Sequence, residues 1–154
     1  MRVTAVLCAM GLIGCASLGG GGVGRETISQ TVDVPVDTAV RIARTQLQLH
    51  NYRVGATSGS TLITEPRAVP GEVRDAANRR EAEHWVVRID IGRKMLGGTE
   101  IKVRGFRLPE GAPTTPGSQP PMVPVTDADQ RLFHELEAIA GWIGDAARRH
   151  SDGR

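Results

Sequence analysis

Between Glu26 and Val34 the chain alternates. Ile28, Val32 and Val34 share a parity, with Gln30 interrupting, while Thr27, Ser29, Thr31 and Asp33 take the other side. A period of two predicts a half-buried strand, and Pro35 ends it. Val36, Ala39, Val40, Ala43 and Leu47 then recur at three- and four-residue spacing, with Arg41, Arg44, Gln48 and His50 largely elsewhere. That spacing predicts an amphipathic helix of about thirteen residues ending near His50-Asn51. Asp37 sits where an acidic side chain can satisfy free amides of the helix start. Two short alternating runs, 52–57 and 60–65, flank Ser58-Gly59 and predict a tight hairpin closed by Pro66. In 84–93, Trp85, Val87, Ile89 and Ile91 face one way and His84, Val86, Arg88 and Asp90 the other. This is the clearest strand in the chain.

A turn at Gly97-Gly98 leads into residues 99–108. Ile101 and Val103 share a parity there, but Phe106 and Leu108 have the opposite one. A β-bulge at Gly105 would turn both pairs inward. Arg88 and Asp90, facing Glu100, Lys102 and Arg104, are candidates for cross-strand charge pairs. Residues 67–83 are charged, with Arg67, Arg74, Arg79 and Arg80 set against Glu72, Asp75, Glu81 and Glu83. Helical i,i+4 spacing there leaves a short surface helix and a loop both open. Residues 109–125 carry six prolines and one charge, the composition of an extended, poorly packed connection. Thr126-Asp127-Ala128-Asp129 resembles a capping box. Leu132, Phe133, Leu136, Ile139, Ala140, Ile143 and Ala147 then form a broad apolar stripe on a helix of about 127–149. Trp142 lies to one side of that stripe, where the core edge and a contact surface are both open readings.

The element order, strand, helix, two short strands, two long strands and a last helix, predicts an α+β fold. An antiparallel sheet of about four to five strands would carry two helices packed on one face.

The first residues have a different character. Met1-Arg2 is followed by an apolar run from Val3 to Ile13, too short for the ~20 residues that cross a bilayer. A charged start, a short apolar core and small residues make an export signal. Leu12-Ile13-Gly14-Cys15 resembles the lipobox of bacterial lipoproteins. The resemblance implies a diacylglycerol on the Cys15 thiol, cleavage after Gly14 and acylation of the freed amine. Ala16, in place of an aspartate, implies the periplasmic face of the outer membrane by the same analogy. Two or three acyl chains would hold the protein there, since one alone binds only marginally.

The expected organisation is a signal peptide at 1–14, a lipidated cysteine and Gly/Ser-rich tether at 15–24, and one α+β domain at 25–150. Cys8 would leave with the signal, so no disulfide is expected. Without Arg2, Lys+Arg falls from 19 to 18 against 17 acids. A balance so near neutral argues against a nucleic-acid surface.

No catalytic constellation emerges. His134-Glu135 begins like a zinc motif, but Ala138 stands where the second histidine belongs. The glycine run after Cys15 lacks the strand and the Gly-Lys-Ser/Thr ending of a phosphate loop. Neither a metal nor an organic cofactor is expected. Val34-Pro35-Val36-Asp37-x-Ala39 entering a helix, and Asn51-Tyr52 entering a strand, resemble the helix-grip module of the C subunit of the bacterial β-barrel assembly machinery. That likeness implies a helix-grip-like, non-enzymatic protein-binding or scaffolding module at the cell envelope, with an envelope protein as partner. A carrier of a small apolar ligand or lipid, with a cavity between helix and sheet, is the alternative. Trp142, Arg74, Arg79 and Arg80 are the candidate contact surface.

Overall fold

In a computed structural model, residues 24–69, 83–108 and 122–153 are described. The spine of the fold is the hairpin of β5 (His84–Arg93) and β6 (Thr99–Leu108). Its register runs unbroken from His84 opposite Leu108 to Arg93 opposite Thr99. β1 (Ile28–Val32) pairs along one edge of this ribbon, next to β6. β3 (Thr61–Thr64) pairs along the other edge, next to β5, and carries β2 (Val54–Ser58) outside it. Two-residue strands lengthen each row: β4 (Arg67–Ala68) beside β5 and β7 (Val123–Pro124) beside β6. The fold is therefore α+β with a seven-stranded sheet in which every pairing is antiparallel. That is two or three strands more than the four to five that the pattern predicted. A two-residue strand is too short to display a period, so β4 and β7 had no signature.

Helices α1 (Val36–Leu49) and α2 (Gln130–Ser151) pack on each other and share one core with the sheet. Trp85, Val87, Ile89 and Ile91 supply the inward parity of β5, and Ile101 and Val103 that of β6. Ala39, Ala43 and Leu47 come from α1, and Leu132, Leu136, Ile139 and Ile143 from α2. At 14 and 22 residues the helices match the spacing read from sequence. Their caps differ from expectation. Pro35 precedes α1 with no side-chain cap, so Asp37 acts only through its charge in the first turn. Asp129 caps α2 by accepting from the Leu132 N–H at 3.3 Å, and Thr126–Asp129 is a turn before the helix.

The expected bulge at Gly105 is absent. Gly105 pairs in register with Val87 and keeps the inward parity of Ile101 and Val103. Phe106 and Leu108 lie on the opposite face, opposite Val86 and His84. Val86 and Leu108 are buried there, so this end of the outer face is apolar and the alternation breaks without a backbone defect. The glycine answers a packing need. A Cβ at 105 would lie 3.1 Å from Leu136 Cδ1 and 3.2 Å from Val125 Cγ2.

The charged part of the outer face centres on Asp90. Its directly opposite residue is Lys102, yet Lys102 pairs with Glu100 on its own strand at 3.2 Å. Asp90 instead accepts from Arg104, from Arg88 Nε at 3.0 Å and from the Thr61 hydroxyl at 2.8 Å. Arg88 and Arg104 face each other across the ladder, and the carboxylate bridges them. Partial burial alone would raise the Asp90 pKa, but the hydrogen bonds from Arg104, Thr61 and Arg88 outweigh it and hold it below 3.8. A depressed folded-state pKa stabilises above the unfolded value and loses that contribution as pH falls through the folded one. Stability should therefore decline on acidification below about pH 4. Asp90→Asn should be less stable at neutral pH and show a flatter acid limb, read as urea midpoints at neutral and acid pH. Equal loss at both would reject Asp90 as a source of the acid sensitivity.

Candidate functional site

Where α1 ends, the chain turns by a helix-terminating motif built on Asn51. Asn51 has a φ of 61°, the Asn51 N–H donates to the Gln48 carbonyl, and the Tyr52 N–H donates back to Leu47 at 2.8 Å. These paired bonds satisfy the last carbonyls of the helix and reverse the chain direction. They also swing Tyr52 under the helix, where it is 3% exposed.

Tyr52 joins four elements. Its hydroxyl donates to Glu135 Oε1 on α2 at 2.5 Å. Its ring meets Trp85 of β5 edge to face, with centroids 6.4 Å apart. The Arg67 guanidinium of β4 lies over its other face at 4.5 Å, a cation–π contact. Burial, followed by the acceptor Glu135, pushes the Tyr52 pKa above its ordinary value. The phenol therefore stays protonated and donates throughout the physiological range. Two residues earlier, His50 stacks flat on Trp142 of α2, with centroids 3.5 Å apart. A ring stack and a hydrogen bond thus clamp the end of α1 to α2.

Beside this clamp is an open cleft of about 300 Å³ lined by Asn51, Tyr52, Arg53, Glu65, Pro66 and Arg67. Two buried donors near it have no hydrogen-bond partner among the described residues, Arg67 Nη1 and the indole Nε1 of Trp85. Arg67 and Trp85 are cross-strand neighbours. Arg107 faces Trp85 from the other side and binds Glu83 at 2.6 Å and the cap residue Asp129. The donor groups are fixed by packing and by carboxylates, and none is poised to take a proton from a nucleophile.

Trp142, the one candidate contact residue within the described part, is half-buried at the core margin, with one face occupied by His50. Cys15, the lipobox residues Leu12, Ile13 and Gly14, and Arg74, Arg79 and Arg80 lie outside the described residues. His134 is exposed on α2 and reaches only Glu137, at 3.1 Å. Among the described residues no group of three or more His, Cys, Asp or Glu side chains could hold a metal ion. No helix among them is long and apolar enough to cross a membrane.

The Tyr52 cluster was invisible in the sequence, because Tyr52, Arg67, Trp85 and Glu135 come together only through tertiary packing. Asn51-Tyr52 directly after a helical stripe was its only local sign. No protein-family model matches the chain, and no curated protein matches it at a significant level.

Proposed function

We propose that this chain is a lipid-anchored lipoprotein of the bacterial outer membrane that acts at its periplasmic face as a non-enzymatic, helix-grip-like module for binding an envelope protein. The observation that carries the reading is Leu12-Ile13-Gly14-Cys15 directly behind a short apolar run. Acyl chains on Cys15 supply the membrane attachment. Closed packing beneath α2 supports a binding module over the alternative, a carrier of an apolar ligand. The Trp85 face of the sheet and the apolar stripe of α2, which would line a carrier's cavity, are buried against each other. A part in outer-membrane assembly accords with the likeness of the 34–39 and 51–52 segments to the assembly-machinery module.

Cys15→Ala should abolish acylation and move the protein from the membrane pellet to the soluble fraction after a salt wash. Metabolic labelling with a fatty-acid analogue should fail for the variant. Continued labelling, or persistent sedimentation of the variant with membranes, would defeat the anchoring reading. Crosslinking of the anchored protein in cells, followed by pull-down, tests the adaptor role. A stoichiometric envelope protein is the expected outcome, and a copurifying lipid without protein would favour the carrier.

A further inference from the structure

The tip of the β5–β6 hairpin has an unusual surface. Residues 92–97 are all exposed, and Met95 and Leu96 are wholly so, at 102% and 96%. Turn positions ordinarily hold Gly, Pro, Asn, Asp or Ser, which supply backbone freedom or local hydrogen bonds. Here two large apolar side chains occupy the centre of the turn. They cannot fold back, because the turn is hydrogen-bonded shut. The Gly97 N–H donates to the Lys94 carbonyl, and the Lys94 N–H donates to the Gly98 carbonyl, both at 3.1 Å. Gly97 and Gly98 have φ values of 96° and 80°, which residues with a Cβ rarely adopt. The backbone therefore holds Met95 and Leu96 outward at no further ordering cost.

Arg93 and Lys94 precede them and are exposed. Among the described residues neither forms an ion pair; Lys94 reaches only the neutral Thr31 hydroxyl, at 3.3 Å. The tip is thus a convex knob with two apolar side chains at its end and two unpaired cations at its base. Two side chains present far less area than a stable protein interface needs. A bilayer demands no shape complementarity, and it takes apolar groups below the headgroups and cations among the phosphates.

We propose that residues 93–96 form a membrane-contact tip, in which Met95 and Leu96 enter the interfacial layer of an anionic phospholipid bilayer and Arg93 and Lys94 meet its phosphates. The contact stands on the hairpin alone and does not require Cys15 to be acylated. Taken with that anchor, it fixes an orientation. The Asp127 N–H holds Arg25 at the start of β1, and Val32 at the other end of β1 pairs with Thr99 beside the tip. The described chain therefore begins at the end of β1 away from the tip. β1 itself, four residue steps from Ile28 to Val32, spans about 13 Å. The ten residue steps from Cys15 to Arg25 reach about 36 Å at most. Both contacts can reach one bilayer when the domain lies along it.

The test uses the chain from Ala16 onward, which keeps the whole closed core and lacks both the apolar leader and Cys15. It should cosediment with vesicles of phosphatidylglycerol and phosphatidylcholine, and about tenfold less with phosphatidylcholine alone. Met95→Ser/Leu96→Ser should lower binding to the anionic vesicles about tenfold with an unchanged melting temperature. Arg93→Gln/Lys94→Gln should remove the preference for anionic lipid. In Met95→Trp, the new indole emission should shift to the blue on adding anionic vesicles. Absence of vesicle binding, or binding that survives the serine pair, overturns the proposal. So does a concentration-dependent dimer that the serine pair abolishes, which would make the tip a contact between copies. Because Cys15 is absent throughout, these results leave the Cys15→Ala fractionation to judge the anchor by itself.

Discussion

Gly105→Val should destabilise the domain by about 3 kcal/mol, with a fall in melting temperature on the order of 10 °C. The cause is room. The inward face of β6 at this position touches Leu136 of α2 and Val125 after β7, whose carbons already stand 3.1 to 3.3 Å from where a Cβ would be. Alanine alone would press on both side chains. Valine adds two more methyls, and a core at crystal-like density has no empty volume to receive them. Leu136 must then leave its rotamer, or α2 must lift from the sheet. The backbone does not resist, since Gly105 pairs regularly within a continuous ladder and needs no special conformation. That separates two explanations of the glycine. A bulge would be disturbed by the backbone preference of valine, whereas a packing glycine can be rescued by making its neighbour smaller. Leu136→Ala should recover part of the loss in the Gly105→Val background, measured by urea unfolding of the four proteins in a double-mutant cycle. Strict additivity would rule out the contact.

Trp85→Ala should cost about 3–5 kcal/mol, the range for truncating a large buried aromatic side chain. Trp85 is 1% exposed and has Arg67 and Arg107 as its cross-strand neighbours. Its ring is also the edge-to-face partner of Tyr52, so the truncation leaves the clamp at the end of α1 without one wall. Trp85→Phe should behave differently. The indole N–H is buried with no acceptor among the described residues, so phenylalanine forfeits volume but removes a donor unpaired there. Its cost should stay under about 1.5 kcal/mol. Urea midpoints at unchanged slope give both values. A phenylalanine variant as unstable as the alanine one would mean that the N–H has a partner, such as a bound water.

Much of the fold could be read from the chain because its longest elements are each buried on one side. In 84–93 four inward residues alternate without interruption, and the strand has those very bounds. The stripes of α1 and α2 gave their buried faces for the same reason. The failures share a cause too. The pattern points Phe106 and Leu108 inward only if every apolar residue on a strand faces the helices. Val86 and Leu108 are instead buried on the far face, a fact set by surroundings that no local period encodes. β4 and β7 take their conformation from the ribbon beside them. Of the candidate site, Trp142 alone could be placed, and the Tyr52 cluster needed the fold before its members became neighbours.

The sheet topology also dictates an order of assembly. β5 and β6 are joined by a short turn and can pair as soon as both exist. β1 must wait, since its partners in β6 lie about seventy residues later, and closing so long a loop is slow. Even then the inner face stays open, because α2, the 22-residue helix that covers β1 and β6, comes after every strand among the described residues. Synthesis from the amino end therefore cannot close this core until α2 has emerged, whatever the order in which the strands pair.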